Sequence, residues 1–184
     1  MKIVALTGPK GSGKDTIADI ICNRFKHVKR VAFADPIKTV VQHIFLLDTT
    51  SNAQYDRLKR SKLEAYGGDF ETTWKSIEGR HVVREIGMLM RSYDTNQFTK
   101  YVEDEIVKAM GESEIFVVTD LRFENEYEML KFHGAKVVKI ERPNYHYDGH
   151  VTERGFDNTL VDIIINNDGS LEALEDQVMS IFKE

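Results

Sequence analysis

The sequence is poor in the features that mark several large classes of protein. Its 184 residues include one cysteine, three prolines and twelve glycines. The single thiol, Cys22, cannot form an internal disulfide, which suits a reducing compartment, and its place in an apolar helical pattern predicts that it is buried. So little proline and glycine excludes collagen-like and linker-dominated chains. No apolar run of the sequence approaches the roughly 20 residues of a membrane-spanning helix.

The sequence also lacks an excess of positive charge. Its 25 lysines and arginines are outnumbered by 30 aspartates and glutamates, which leaves a net charge of −5. This negative balance argues against a broad interface with a nucleic-acid backbone, and residues 1–6 show no pattern of a signal peptide. We therefore expect a cytoplasmic protein whose partners include neither nucleic acid nor a membrane.

What the sequence does contain is an alternation of short β-branched runs with longer amphipathic segments. Strands are predicted at residues 3–6, 28–33, 115–118, 137–140 and 162–165. Helices are predicted at residues 14–25, 36–47, 80–93, 96–110 and 123–132, and after a Ser170 cap. Five strands joined by helices require parallel crossovers, so we expect a three-layer α/β sheet in a single domain, 1–184.

A glycine-rich loop follows the first predicted strand and opens the first helix. Its residues, Gly8-Pro9-Lys10-Gly11-Ser12-Gly13-Lys14, have the spacing and the context of the Walker A motif. Glycines let backbone amides converge on a phosphate beside the positive end of a helix, and Lys14 adds a full charge for the β- and γ-phosphates.

The residue after Lys14 departs from the motif. Asp15 stands where serine or threonine is usual, and Thr16 comes only one residue later, an arrangement that favours small-molecule kinases over motor or switch NTPases. We expect Thr16 to contact a phosphate, whereas Asp15 either helps to hold Mg²⁺ or faces the acceptor.

Charged side chains also follow the second and third predicted strands, where ligands bind in open α/β sheets. Asp120 either holds Mg²⁺ through water or orients Arg122 by a salt bridge. Asp35 and Lys38 begin the second helix, and Lys38 either reaches an acceptor phosphate or lies on a solvated helix face.

Four further arginines are candidates for binding anions. Arg84 and Arg91 are seven residues apart and share one helix face, which suits a phosphate or base clamp but also suits a charged surface. Arg142 and Arg154 are candidates for neutralising transferred charge. One polar set fits no common zinc spacing: His146, Asp148, His150 and Glu153.

Together these motifs resemble the bacteriophage-type deoxynucleoside monophosphate kinases. The resemblance covers most of the chain in order and is carried by GPKGSGKDTIAD, ADPIK, DLRFENE, HGAKVVKIERP, HVTE and IINNDGSLEAL. It implies a P-loop kinase fold: a five-stranded parallel sheet in the order 2-3-1-4-5, flanked by helices, with an acceptor-binding segment at about 38–95 and a lid-like segment at about 143–160. It also implies that ATP and Mg²⁺ are used to phosphorylate a deoxynucleoside monophosphate, for dNTP supply, in the host cytoplasm if the protein is phage-encoded.

The resemblance, combined with the candidates above, assigns residues to each part of the site. The expected ATP site contains Gly11, Ser12, Gly13, Lys14, Asp15, Thr16, Asn167, Asp168 and Gly169, the last three where related kinases hold adenine. The expected acceptor site contains Asp35, Lys38, Arg84, Arg91, Asp120, Arg122, Glu126 and Glu153. The expected catalytic residues are Lys14, Asp15, Arg122 and Arg142. The expected metal ligands are Thr16 and Asp120.

Two departures from the family pattern fall where the acceptor base should bind. The helix that contains Arg84 lacks the glutamine and the glycine-threonine pair often seen there, and the central segment is shorter than in larger members. Base preference, discrimination against ribose and oligomeric state, with a homodimer among the alternatives, therefore stay open. The rival functions are a kinase for another small phosphorylated acceptor, such as phosphomevalonate or dephospho-coenzyme A, and a non-catalytic ATP-binding module.

Overall fold

The computed structural model describes residues 1–46, 77–143 and 156–183, and for 41–46 and 77–82 only the backbone. Within these ranges the strands are β1 (Lys2–Thr7), β2 (Val28–Val31), β3 (Ile115–Val118), β4 (Lys136–Glu141) and β5 (Ile163–Asn166). The helices are α1 (Lys14–Arg24), α2 (Asp35–Leu46), α3 (Ile77–Tyr93), α4 (Gln97–Ala109), α5 (Glu124–Phe132) and α6 (Leu171–Ser180), with a 3₁₀ turn at Asn158–Leu160. In the described part of the chain no helix is long and apolar enough to cross a membrane.

The strands form one parallel sheet in the order β2-β3-β1-β4-β5. Both the fold and the strand order predicted from the sequence are confirmed. β1 is the middle strand because it is apolar on both faces: it pairs with β3 on one side and β4 on the other, and residues 3–7 are buried. A strand buried on both faces is typical of a parallel sheet covered by helices.

One hydrophobic cluster joins the sheet to α1 and α6. It contains Ile17, Ile21, Leu174 and Val178 from the helices, packed on β1, β3, β4 and β5. The prediction that Cys22 is buried was wrong, because the side chain is exposed. The helical step carries residue 22 past Ala18 to the outer edge of the buried stripe.

Asp162, just before β5, ties two neighbouring elements together. Its carboxylate accepts hydrogen bonds from the backbone N–H of Val137 at 2.7 Å and from the Lys131 ammonium at 3.0 Å. These bonds fix the start of β5 against β4 and α5.

The chain divides into two compact units, one formed by Met1–Phe33 with Phe98–Glu184 and one by Ala34–Gln97. The first unit contains the whole sheet. In the second, α2 and α3 approach closely at Gly87, where an added Cβ would lie 2.9 Å from Ile37 Cδ1. The predicted single domain and its segment boundaries stay a prediction, and most of the lid-like segment lies outside the described residues.

Candidate active site

The phosphate loop connects the middle strand of the sheet to the first helix. Gly8, Gly11 and Gly13 have φ values of +139°, +75° and +107°, a region that only glycine enters without strain. A Cβ on Gly8 would lie 2.5 Å from the Ile140 carbonyl oxygen, and one on Gly13 would lie 2.4 Å from Asn167 Nδ2. The loop therefore wraps tightly against the ends of β4 and β5, which only glycine at these positions permits.

Side chains hold several carbonyl groups of the loop. Lys14 Nζ donates hydrogen bonds to the carbonyl oxygens of Gly8, at 2.7 Å, and Pro9, at 2.6 Å. Arg142 Nη1 donates to the Gly11 carbonyl at 2.9 Å, and Asn167 Nδ2 donates to the Ser12 carbonyl at 2.7 Å. The contacts bring together Lys14, Arg142 and Asn167, three of the predicted site residues.

The loop also leads directly into the N-terminus of α1. The first bond within the helix runs from Ile17 N to Gly13 O at 2.9 Å. The amides of Asp15 and Thr16 precede that bond and so have no acceptor inside the helix, as at any helix N-terminus. Such amides, with the positive end of the helix dipole, form an anion site.

Two buried hydroxyls support the assignment of a phosphate site. Thr7 Oγ1 and Ser12 Oγ belong to residues that are 1% and 0% exposed, and neither has a hydrogen-bond partner among the described residues. A buried hydroxyl without a partner is costly. Since both flank the glycine cradle at the N-terminus of α1, the residues present fit a bound phosphate chain.

Asp15 faces an arginine that the motif analysis missed. Its carboxylate accepts a hydrogen bond from Arg30 Nη2, while Arg30 Nη1 donates to Asp19 Oδ1 at 2.7 Å. Arg30 belongs to β2, one residue before that strand ends. No local pattern identifies it, because the contact depends on where β2 lies beside α1. Thr16 is exposed in the first turn of the helix.

The turn after β3 is built around two carboxylates. Asp120 Oδ1 accepts a hydrogen bond from Phe33 N at 2.7 Å, which joins the ends of β3 and β2. Glu126 is 1% exposed, and its Oε2 accepts bonds from the backbone N–H groups of Arg122, at 2.9 Å, and Phe123, at 3.1 Å. Glu126 therefore caps α5 and fixes the backbone of Arg122.

The second compact unit carries four other predicted acceptor residues. Lys38 Nζ pairs with Asp35 Oδ1 at 2.9 Å in the first turn of α2. Arg84 and Arg91 are half-buried on α3, two turns apart as expected.

The remaining candidates lie at the ends of the described ranges or outside them. Asp168 and Gly169 are exposed between β5 and α6, and Ser170 caps α6 by accepting a hydrogen bond from Ala173 N, as predicted. Glu153 and Arg154 lie outside the described residues. Within the described ranges no three histidine, cysteine, aspartate or glutamate side chains are grouped as metal ligands, so Thr16 and Asp120 stay predicted rather than observed ligands.

Comparison with known proteins places the chain in a family. The family model of deoxynucleotide monophosphate kinases matches residues 2–100 and 80–178. The deoxynucleotide monophosphate kinase of Enterobacteria phage T4 is 24% identical over 241 aligned positions, which cover 100% of this chain and 99% of the phage protein. A candidate enzyme of the same name from Acanthamoeba polyphaga mimivirus is 26% identical over 187 positions, covering 98% of this chain and 95% of the viral one.

A solved structure shares the fold. Dephospho-CoA kinase from Campylobacter jejuni superposes with a TM-score of 0.51 at 17% identity, covering 100% of this chain and 97% of that one. An identity this low establishes the architecture alone.

Proposed function

The chain belongs to the deoxynucleotide monophosphate kinase family, and we propose that it transfers the γ-phosphoryl group of ATP to the phosphate of a deoxynucleoside monophosphate. The family recognised from the sequence motifs is confirmed, and so is the enzyme class, a phosphotransferase. One structural observation supports the proposal. At the end of the middle strand lies a glycine cradle with two buried hydroxyls that have no hydrogen-bond partner among the described residues. The family match then supplies the acceptor class.

We propose that the phosphate loop, residues 8–16, binds the phosphates of the nucleotide donor. Lys14 now holds two carbonyls of its own loop, and we infer that its ammonium exchanges them for the β- and γ-phosphates. We propose that the Thr16 hydroxyl and the Asp120 carboxylate hold Mg²⁺, since hard oxygen donors suit that ion. When bound, Mg²⁺ neutralises charge on the triphosphate.

For the acceptor nucleotide we propose the charged residues that the sequence motifs and the family resemblance single out. Lys38, Arg84 and Arg91 supply positive charge for its phosphate or base. Arg122 supplies a further positive charge, and Glu126 fixes the backbone of Arg122. Asp35 and Asp120 complete the proposed set with Glu153, which lies outside the described residues.

The proposed reaction needs no general base. A phosphate monoester has a second pKa of about 6 and so is largely a dianion near neutral pH. One of its oxygens attacks the γ-phosphorus in line, the bond from that phosphorus to the bridging oxygen breaks, and ADP leaves with the electron pair. We infer that Lys14, Arg122 and Arg142 stabilise the developing charge by position alone.

The test is acceptor-dependent release of ADP from ATP. Each of dAMP, dGMP, dCMP and dTMP is supplied beside its ribose counterpart, and we expect turnover with at least one deoxy acceptor. No turnover with any nucleotide, but turnover with dephospho-coenzyme A or phosphomevalonate, would move the protein to another acceptor class. ATP binding with no acceptor-dependent ADP release would instead identify a non-catalytic module.

A further inference from the structure

Asn167 makes two hydrogen bonds that join the end of the sheet to the phosphate loop. Its backbone N–H donates to the Glu141 carbonyl at 2.8 Å, which continues the pairing of β5 with β4 by one residue. Its side-chain Nδ2 donates to the Ser12 carbonyl, 155 residues away in sequence, at 2.7 Å. The backbone bond fixes Asn167 to the sheet, and the side-chain bond then fixes the loop to Asn167.

The direction of the amide is determined by its partner. A backbone carbonyl can only accept a hydrogen bond, so the nitrogen and not the oxygen of the asparagine must face Ser12. The amide also fills the space beside Gly13, where an added Cβ would lie 2.4 Å from Nδ2. Asn167 is therefore matched to Gly13 in shape and to the Ser12 carbonyl in polarity.

A phosphate loop needs its carbonyl groups held outward. Its amides can converge on an anion only if the carbonyls between them point away, and each carbonyl so turned needs a donor. Lys14 holds those of Gly8 and Pro9, but Lys14 is also the side chain proposed to bind the triphosphate. Its hold on the loop is lost when it turns to the nucleotide.

Arg142 and Asn167 also hold loop carbonyls, and they differ in rigidity. Arg142 reaches the Gly11 carbonyl through a long side chain on an exposed residue. Asn167 is half-buried, has a short side chain and is anchored at its own backbone. Of the two, Asn167 is the fixed support.

We propose that Asn167 is a positioning residue for the triphosphate, which holds the Ser12 carbonyl so that the loop amides stay directed at the phosphates. This deepens the proposed function and rests on it. It differs from the role that the family resemblance implies for the turn after β5, which is contact with adenine. A residue that supports the loop acts on every triphosphate, whereas a residue that reads adenine acts only where adenine is present.

The experiment compares Asn167→Asp and Asn167→Ala with the matched control Asn166→Asp. Asn166 is the exposed neighbour, and its two bonds to Gln177 run through its own backbone N–H and carbonyl. The control therefore adds the same charge one residue away without touching the loop. Binding of inorganic tripolyphosphate with Mg²⁺, and of ATP, is measured by calorimetry, and KM is measured for ATP, GTP and the acceptor.

In each Asn167 variant we expect the affinity for tripolyphosphate and the affinity for ATP to fall by a similar factor. That factor should be about tenfold, for the loss of one hydrogen bond to a preorganised loop. KM for ATP and GTP should rise together, KM for the acceptor should stay near its wild-type value, and Asn166→Asp should behave as wild type. If Asn167→Asp does not fold, Asn167→Ala carries the same expectation, because it removes the donor without adding charge.

Three results would overturn the inference. The first is a loss of ATP affinity with tripolyphosphate affinity unchanged, which would identify an adenine contact. The second is a change of KM for ATP but not for GTP. The third is a lower unfolding midpoint with unchanged affinity for both phosphates, which would make the contact structural only. In each case wild-type turnover with a deoxynucleotide would leave the proposed function standing.

Discussion

The carboxylate of Asp15 accepts a hydrogen bond from the guanidinium of Arg30, across the gap between α1 and β2. Asp15 occupies the position where phosphate loops of this type usually carry a hydroxyl, so a negative charge stands at the edge of a site for anions. Arg30 offsets that charge and also binds Asp19. The departure from the motif is thus accompanied by a compensating cation from a different element.

Replacing Arg30 by methionine should raise KM for ATP by roughly two- to fivefold, the scale of an exposed ion pair. The reason is that the Asp15 carboxylate, 85% exposed in its side chain, then repels the incoming triphosphate without compensation. Steady-state kinetics at low ionic strength measure the effect. In an Asp15→Asn background the same replacement should change KM little. Arg24→Met, which breaks the surface pair with Glu175, serves as control, and an equal effect of both arginine variants would refute the compensation.

Replacing Lys14 by alanine should reduce kcat by on the order of 100-fold or more, because the loop loses its full charge for the transferred phosphoryl group. The fold should persist, since the bonds from Lys14 Nζ to the Gly8 and Pro9 carbonyls lie within its own loop. Coupled ADP release and far-ultraviolet circular dichroism measure the two quantities. Lys26→Ala, an exposed lysine between α1 and β2, should turn over normally. Retained turnover in the Lys14 variant would contradict the assignment of the loop.

Replacing Glu126 by alanine should lower the free energy of unfolding by about 2 kcal/mol, because two backbone N–H groups lose a buried acceptor. Glu126→Gln keeps an acceptor oxygen and should cost less. Urea denaturation measures both, with the exposed first-turn residue Glu124 as the alanine control.

The same variants separate two roles for Glu126. If the carboxylate binds the acceptor itself, Glu126→Gln should raise KM for the acceptor at nearly wild-type stability. If it acts through the backbone of Arg122, stability and acceptor KM should change together in Glu126→Ala and little in Glu126→Gln.

Asp162 should make stability depend on pH at the acid end. Burial acts to raise the pKa of its carboxyl group, but the Val137 N–H and the Lys131 ammonium outweigh burial and lower that pKa below its usual value. A carboxyl group with a lowered folded pKa stabilises the protein above its unfolded pKa, about 3.9, and loses that contribution as the pH falls through the folded value. Asp162→Asn should therefore be less stable than wild type at pH 7. Because the Asp162 side chain is 37% exposed and its charge is partly screened by solvent, the loss should be at most about 1 kcal/mol.

The difference between wild type and Asp162→Asn should shrink as the pH falls below about 4, because the unfolded chain then binds a proton at this carboxyl group before the folded protein does. Thermal unfolding at several pH values measures this, with Asp176→Asn as the control on α6. A difference that is the same at pH 3 and pH 7 would show that the charge of Asp162 has no part in stability.

Much of the fold was predictable because it rests on local pattern. The bounds of the predicted strands and helices agree with the observed ones to within three residues wherever both are described. Apolar periodicity determines such elements from neighbouring residues alone, and glycine spacing determined the phosphate loop in the same way. The resemblance to a family added the strand order, which the sheet confirms.

The contacts that refine the site required the tertiary structure. The pairing of Arg30 with Asp15 and the support of the Ser12 carbonyl by Asn167 each depend on how separate elements meet. The bonds from the Arg122 and Phe123 N–H groups to Glu126 are instead local to the start of α5. Asn167 was predicted as an ATP residue, but its bond to the Ser12 carbonyl spans 155 residues of sequence. Cys22 was misplaced for a related reason, because periodicity locates a buried stripe but not its edge.

The sequence by itself determined which residues carry charge, which turns need glycine and which runs are apolar, because these properties belong to a residue and its neighbours. Only the tertiary structure decided which donor meets which carbonyl, because the ends of parallel strands that are distant in sequence converge at one edge of the sheet. There the chemistry of a residue depends on the partner that strand order and register place beside it.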